Sequence, residues 1–334
     1  MKKDYSISFV RLVSMILIIT CHVFQFYGNE LAWWFNVGVQ IFLFISGYLY
    51  SKKEVPDAKE FYKKQLTKIL LPYYIYIFFV SFIYLIFDKQ LFLISDFVKS
   101  LFLVGNLKGL EHLWFIRYIV ICYLVTPLLH YMLKKCQKNN CKIFKLISLV
   151  VFNEFISLIT KNFINGTWIN CYILGIFFNN YYNITKDNNK RCLLILIPLT
   201  FNFIEILIKY ILKLKIVGIE LVAFNKFCNI SHLLLGILLF YCLKEIYKYV
   251  SKYIKDSFLD TSDAFSYYIY ITHHIFVLGK YSVFKYKFNI VILIIIYLLL
   301  LVICSYFLKK ITDIFSCFLK KDKLSNVSKK TSVF

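Results

Sequence analysis

The residues of this sequence best equipped for chemistry stand where charge is costly. Arg11 and His22 share one apolar run, residues 7–27. A charged side chain within a membrane span costs at least about 2.5 to 3.5 kcal/mol on insertion scales, so such positions mark function by default. Eleven helical positions carry the second side chain to roughly 20° past three full turns and about 16 Å further along the axis. One helix face therefore presents a permanent cation and, beyond it, an imidazole. The cation can hold an anion, and the imidazole can take a proton near neutral pH. The plain alternatives are snorkelling to the headgroups for Arg11 and an interhelical hydrogen bond for His22.

Other pairs follow the same logic. Lys64 and Lys68 stand at i and i+4, two ammonium groups one turn apart beside an apolar run. Such a face suits phosphates, either of a lipid headgroup or of a phosphorylated donor such as coenzyme A. Ser46 and Gly47 are small enough to let two helix backbones approach closely. Glu111, His112 and Trp114 open a fourth run, at the level of an acceptor mouth or of an ordinary aromatic belt. Tyr270 and His273 share a face at i and i+3, as lining of one cavity, while His274 suits structural hydrogen bonding. Glu154 and Glu205 are acids inside apolar runs, open to proton relay, packing polarity or a misplaced boundary. No GxSxG elbow or HExxH helix supplies a rival catalytic set. No metal site is expected: CxxC is absent, and Cys136 and Cys141 lie in a Lys-rich loop without histidine.

The elements that must position these residues are read from composition and hydropathy. Of 334 residues 60 % are apolar and only 17 % charged, and mean hydropathy is +0.67, which excludes an ordinary soluble domain. Lys and Arg number 40 against 18 Asp and Glu, but 37 of the 40 are Lys and aromatics reach 20 %, a balance unlike a nucleic-acid-binding domain. Ten apolar runs can be drawn, at 7–27, 32–50, 69–87, 113–133, 143–160, 167–182, 192–208, 229–247, 264–284 and 289–308. The first holds Arg11 and His22 and lacks a small-residue cleavage site, so it is not read as a signal peptide. Counting basic residues on either side of ten spans gives 27 on the side of the termini and 11 on the other, which predicts cytoplasmic termini. The expected fold is an all-α polytopic membrane helix bundle of about ten transmembrane helices. Residues 1–312 form the membrane domain and 313–334 a basic cytoplasmic tail able to lie on the inner leaflet. An interfacial helix is expected within 88–112, where Leu91, Phe97 and Leu101 alternate with Asp96 and Lys99. Scarce Ala beside abundant Lys, Ile, Asn and Phe hints at an AT-rich, bacterial source, and hence at a bacterial cytoplasmic membrane.

Five blocks, in order, resemble acyltransferase family 3, integral membrane proteins that acylate sugars and cell-surface glycans. They are Arg11 with His22; Phe42 to Tyr48, ending in Ser-Gly-aromatic; Lys64, Lys68, Pro72 and Tyr73; Glu111 to Phe115, leading into a span with Pro127; and Ser266 to His273. At the third block Lys replaces the family's usual Arg, which keeps phosphate binding but gives up the planar fork. The resemblance implies an O-acyltransferase, with acyl-CoA, acetyl-CoA foremost, as donor substrate and no bound cofactor. A hydroxyl of a cell-surface or lipid-linked polysaccharide would be the acceptor. His22, the residue chosen above for proton transfer, is also where the resemblance places the base, directly or through an acyl-enzyme. Arg11 assists it; Lys64, Lys68 and Ser46 fall to the donor; Glu111, His112, Trp114, Tyr270 and His273 fall to the acceptor or the cavity wall. Membrane lipid is the remaining partner, nucleic acid is not one, and the oligomeric state is open. The length leaves no room for the extracellular esterase-like domain that some members carry. The rival readings are a polysaccharide exporter and a membrane sensing domain without turnover; no paired Gly or Pro breaks of the kind inverted repeats carry favour the exporter.

Overall fold

A computed structural model describes residues 3–51, 57–134, 139–160, 163–181, 188–212, 216 and 218–331. Among these residues there is no strand. In chain order the α-helices are α1 (Tyr5–Phe26), α2 (Ala32–Phe35), α3 (Val37–Tyr50), α4 (Ala58–Phe87), α5 (Ile94–Leu101), α6 (Trp114–Lys134), α7 (Asn139–Ile159), α8 (Gly166–Tyr181), α9 (Asn188–Ile206), α10 (Gly218–Val250), α11 (Asp256–Thr272) and α12 (Ile290–Thr331). They group into two compact units, one of Met1–Phe61 with Tyr118–Asp263 and the other of Tyr62–Arg117 with Ala264–Phe334.

In the first unit α1 begins where the Asp4 carboxylate accepts the Ser6 N–H at 3.1 Å, an N-cap that meets one orphan donor of the first turn. α3 is deeply enclosed: Ile41, Leu43, Phe44 and Ile45 are buried. Its closest partner is α8, and the reason lies in two glycines. A Cβ on Gly47 would stand 2.0 Å from the Tyr172 carbonyl oxygen, and one on Gly175 would stand 2.2 Å from that of Phe44. Gly47, one of the two small residues expected to admit close approach, thus does so, and Gly175 answers it from α8, which is how membrane helices gain packing without a hydrophobic drive between them.

In the second unit tyrosines tie α4 to the segment that follows it. Hydroxyls of Tyr73, Tyr74 and Tyr84 donate to the carbonyls of Ser100, Leu101 and Lys108 at 2.7, 3.0 and 2.8 Å. Pro72 inside α4 removes one helical N–H, and beside it the Tyr267 hydroxyl donates to the Ile69 carbonyl at 2.8 Å. The short helix expected in 88–112 is α5, with Ile94 and Val98 exposed on its surface.

Among the described residues seven helices are long and apolar enough to cross a membrane, fewer than the ten runs drawn from hydropathy. α7 is helical but carries Lys142, Lys145 and Glu154, and α8 has only a shorter apolar stretch, Gly166–Phe178. The run at 264–284 is not one helix. α11 ends at Thr272, and short 3-10 turns follow at His274–Phe276 and Val283–Lys285. That run is apolar because Ile275, Val277, Val283 and Phe284 are buried, and hydropathy reads burial without distinguishing a helix from packed turns.

Candidate functional site

Both residues of the first block lie half-buried on α1. Nδ1 of His22 lies 2.6 Å from Oε1 of Gln25, one turn on. A carbonyl oxygen can only accept, so Nδ1 donates to Gln25, and in the neutral form of the ring the basic lone pair falls at Nε2. Arg11 has a partner that the sequence did not disclose: its guanidinium pairs with the Asp263 carboxylate. The Ser8 hydroxyl donates to the same carboxylate at 2.6 Å, and Lys3 Nζ lies 2.9 Å from it. Burial pushes the Asp263 carboxyl up, but the Arg11 charge and the hydrogen bonds from Ser8 and Lys3 outweigh it and hold the group below its ordinary value. Arg11 thus acts as a fixed fork whose remaining N–H groups can meet a ligand, its charge shared with Asp263.

Ser46, on α3, donates to the Phe42 carbonyl of its own helix at 2.9 Å. Lys64 and Lys68 are exposed on α4 one turn apart, as their spacing requires.

In the second unit the structure brings His112, Tyr270 and His273 together and adds His274. His112 Nε2 donates to the Ile271 carbonyl at 3.1 Å, and its own carbonyl accepts the Tyr270 hydroxyl. His273 Nδ1 donates to the Tyr270 carbonyl at 2.7 Å and His274 Nδ1 to that of Gly109 at 2.9 Å. The rings of His112 and His274 stack with centroids 4.5 Å apart, and all three imidazoles are buried. Main-chain carbonyls thereby fix each tautomer and seat the end of α11 on the 109–112 turn. Glu111 shapes that turn, accepting the Gly109 N–H at 2.9 Å while itself exposed, and Trp114 is half-buried in the first turn of α6. A cavity of about 600 Å³ in this unit is walled by apolar groups such as Ile75, Phe79, Ile275 and Phe307, and neither Tyr270 nor His273 lines it.

Sequence reasoning left Glu154 and Glu205 without partners, and the structure supplies them. Lys226 Nζ lies 3.0 Å from Glu154, which also accepts from Thr167 and Asn170 at 2.9 Å each. Lys209 Nζ lies 2.7 Å from Glu205. The second pair was legible, since Lys209 is four residues on from Glu205. The first was not, because hydropathy assigned Lys226 to a loop whereas α10 begins at Gly218. Among the described residues no group of three His, Cys, Asp or Glu could hold a metal ion. Neither curated proteins nor solved structures offer a match to the chain. Residues 4–310, however, match the family model for the acyltransferase domain of acyltransferase family 3, and with that coverage of a helical chain rich in membrane-crossing segments, the protein belongs to this family of membrane acyltransferases.

Proposed function

We propose that this protein is an O-acyltransferase of a bacterial cytoplasmic membrane. It moves an acyl group, acetyl foremost, from cytoplasmic acyl-CoA to a hydroxyl of a cell-surface or lipid-linked polysaccharide. The observation that carries the reading is His22, an imidazole half-buried in a membrane helix with its proton held at Nδ1 by Gln25, in a chain whose family transfers acyl groups. As the acceptor oxygen attacks the thioester carbonyl, its proton passes to His22 Nε2. The tetrahedral intermediate collapses with cleavage of the C–S bond, and the imidazolium returns the proton to the departing thiolate, giving the ester and free coenzyme A. Arg11 orients the donor through N–H groups not engaged by Asp263. Lys64 and Lys68 meet the coenzyme A phosphates, with Ser46 in the donor site. His112, Trp114, Tyr270 and His273 belong to the acceptor side, with Glu111 setting the turn that holds them.

His22→Ala tests this in purified protein supplied with acetyl-CoA and a glycan from the host. Transfer should fall roughly 100- to 10,000-fold, the usual cost of losing a positioned base, while the thermal midpoint stays put. A variant that keeps more than about a tenth of the parental rate would reduce His22 to a structural role. Mass spectrometry of surface glycans with and without the gene identifies the acyl group and its acceptor.

A further inference from the structure

A second polar cluster lies in the first unit, among α2, α9 and α10, and uses no residue given a role above. Glu205 Oε1 accepts twice, from the Trp33 indole N–H at 2.6 Å and from Lys209 at 2.7 Å, and the Lys209 ammonium also lies 4.1 Å above the Trp33 ring. The His232 ring packs 4.2 Å from Trp33 and 5.5 Å from Trp34. Asn202, one turn before Glu205, donates to the Ser231 carbonyl at 3.3 Å. Lys209 sits in a π-helical turn, Leu207–Ile211, a widening of the helix that is frequent at functional sites.

What this network leaves over is more telling than what it satisfies. Asn202 Oδ1, Glu205 Oε2, Ser231 Oγ and both ring nitrogens of His232 are buried without a hydrogen-bond partner, in side chains at most 7 % exposed. Buried polar atoms are almost always paired, and a cluster of five that are not calls for a ligand. Its chemistry can be read from the atoms. Two are acceptors only, the hydroxyl and the imidazole can each give or take, and the adjoining wall is indole. A cation is disfavoured because Lys209 already occupies the carboxylate and the ring face, and an anion because Glu205 Oε2 would oppose it. A neutral group rich in O–H donors fits both constraints.

We propose that Trp33, Asn202, Glu205, Ser231 and His232 form a binding site for a neutral hydroxylated ring, a pyranose in chemical class. On the topology expected from the sequence this cluster lies at the outer ends of its helices, where a surface glycan arrives. As a further sugar subsite for the acceptor glycan, in addition to the acceptor-side residues named above, it rests on the function proposed above; its ability to bind a sugar does not.

The test uses the full chain in nanodiscs, with Trp114 and Trp168 replaced by Phe so that only Trp33 and Trp34 emit. Methyl α-D-glucopyranoside and N-acetylglucosamine are the probes. Either should shift the emission saturably, with half-saturation on the order of 1 to 10 mM, and glucose 6-phosphate and glucosamine should bind more weakly. Glu205→Gln breaks a buried pair and risks folding, so Ser231→Ala and His232→Phe are the diagnostic variants. Both should weaken binding roughly tenfold, while the thermal midpoint holds or rises, because an unpaired buried polar group has been removed. No saturable shift in the parent, or unchanged binding in both variants, overturns the site. If this protein binds sugar yet the unsubstituted chain, with Trp114 and Trp168 in place, turns over no acetyl-CoA, the proposed reaction fails and the site stands.

Discussion

Asp263 changes what Arg11 can be. The two lie 252 positions apart, and the carboxylate, already shared with Ser8 and Lys3, neutralises a charge that would otherwise demand an anion. A carboxyl held below its ordinary value adds stability that is complete above that value, about 3.9, and is lost as pH falls through the lower, folded value. The parent should therefore lose thermal stability on acidification below about pH 4. Asp263→Asn should be weaker by roughly 1.5 to 3 kcal/mol at neutral pH and flatter across that acid window. Melting curves of the two proteins that stay parallel as pH falls would detach Asp263 from Arg11's role. From the sequence, Arg11 and His22 were legible because a charge in an apolar run is conspicuous. Asp263 was not, since it sits just before the run at 264–284 and nothing local points to a residue on α1. The orphaned atoms around His232 were equally hidden: hydropathy shows that a histidine is enclosed, never whether its nitrogens are met.

Among the helices, α3 and α8 form the tightest seam, and the α3 side of it is the block ending Ser46-Gly47-Tyr48. A methyl group on Gly47 would meet main chain and not a yielding side chain. Gly47→Ala should therefore destabilise the protein by roughly 3 kcal/mol, the upper end of ordinary overpacking costs, as thermal unfolding will measure. α4 makes a different prediction. Lys64 and Lys68 face outward on one side of it, and two charge-assisted phosphate contacts are worth about 1.5 to 3 kcal/mol apiece when shielded from water. Changing both to Gln should raise the donor's apparent KM at least roughly tenfold and leave the acceptor's alone. Coenzyme A titrated against the double variant in neutral-lipid nanodiscs separates this from headgroup binding, for which the affinity would not change. Helix existence was well marked in the sequence, while helix ends were poorly marked. α10 starts 11 residues before the run at 229–247, and α11 stops inside the run at 264–284, because the side chains that follow it are buried as turns.

At the level of the whole chain, the excess of basic residues on one side predicts cytoplasmic termini. A single cysteine at Lys108 in an otherwise Cys-free protein should react with an impermeant maleimide applied to intact cells. Reaction only after the inner face is opened would invert that topology. The membrane class and the family blocks were legible because composition and short motifs need no tertiary information; the spans were marked less evenly, since α7 and α8 are helices that fall short of the length or apolarity of a free span. α12 adds something of a mechanical kind. From Ile290 to Lys309 it rises about 29 Å, close to the apolar depth of a bilayer, yet the helix continues unbroken. Ile311, Ile314, Phe315, Phe318 and Leu319 then recur at helical spacing with their side chains exposed. Contact of these five side chains with lipid would hold the stretch through oil more than through charge, so strong brine should leave it seated where their replacement by Ser frees it.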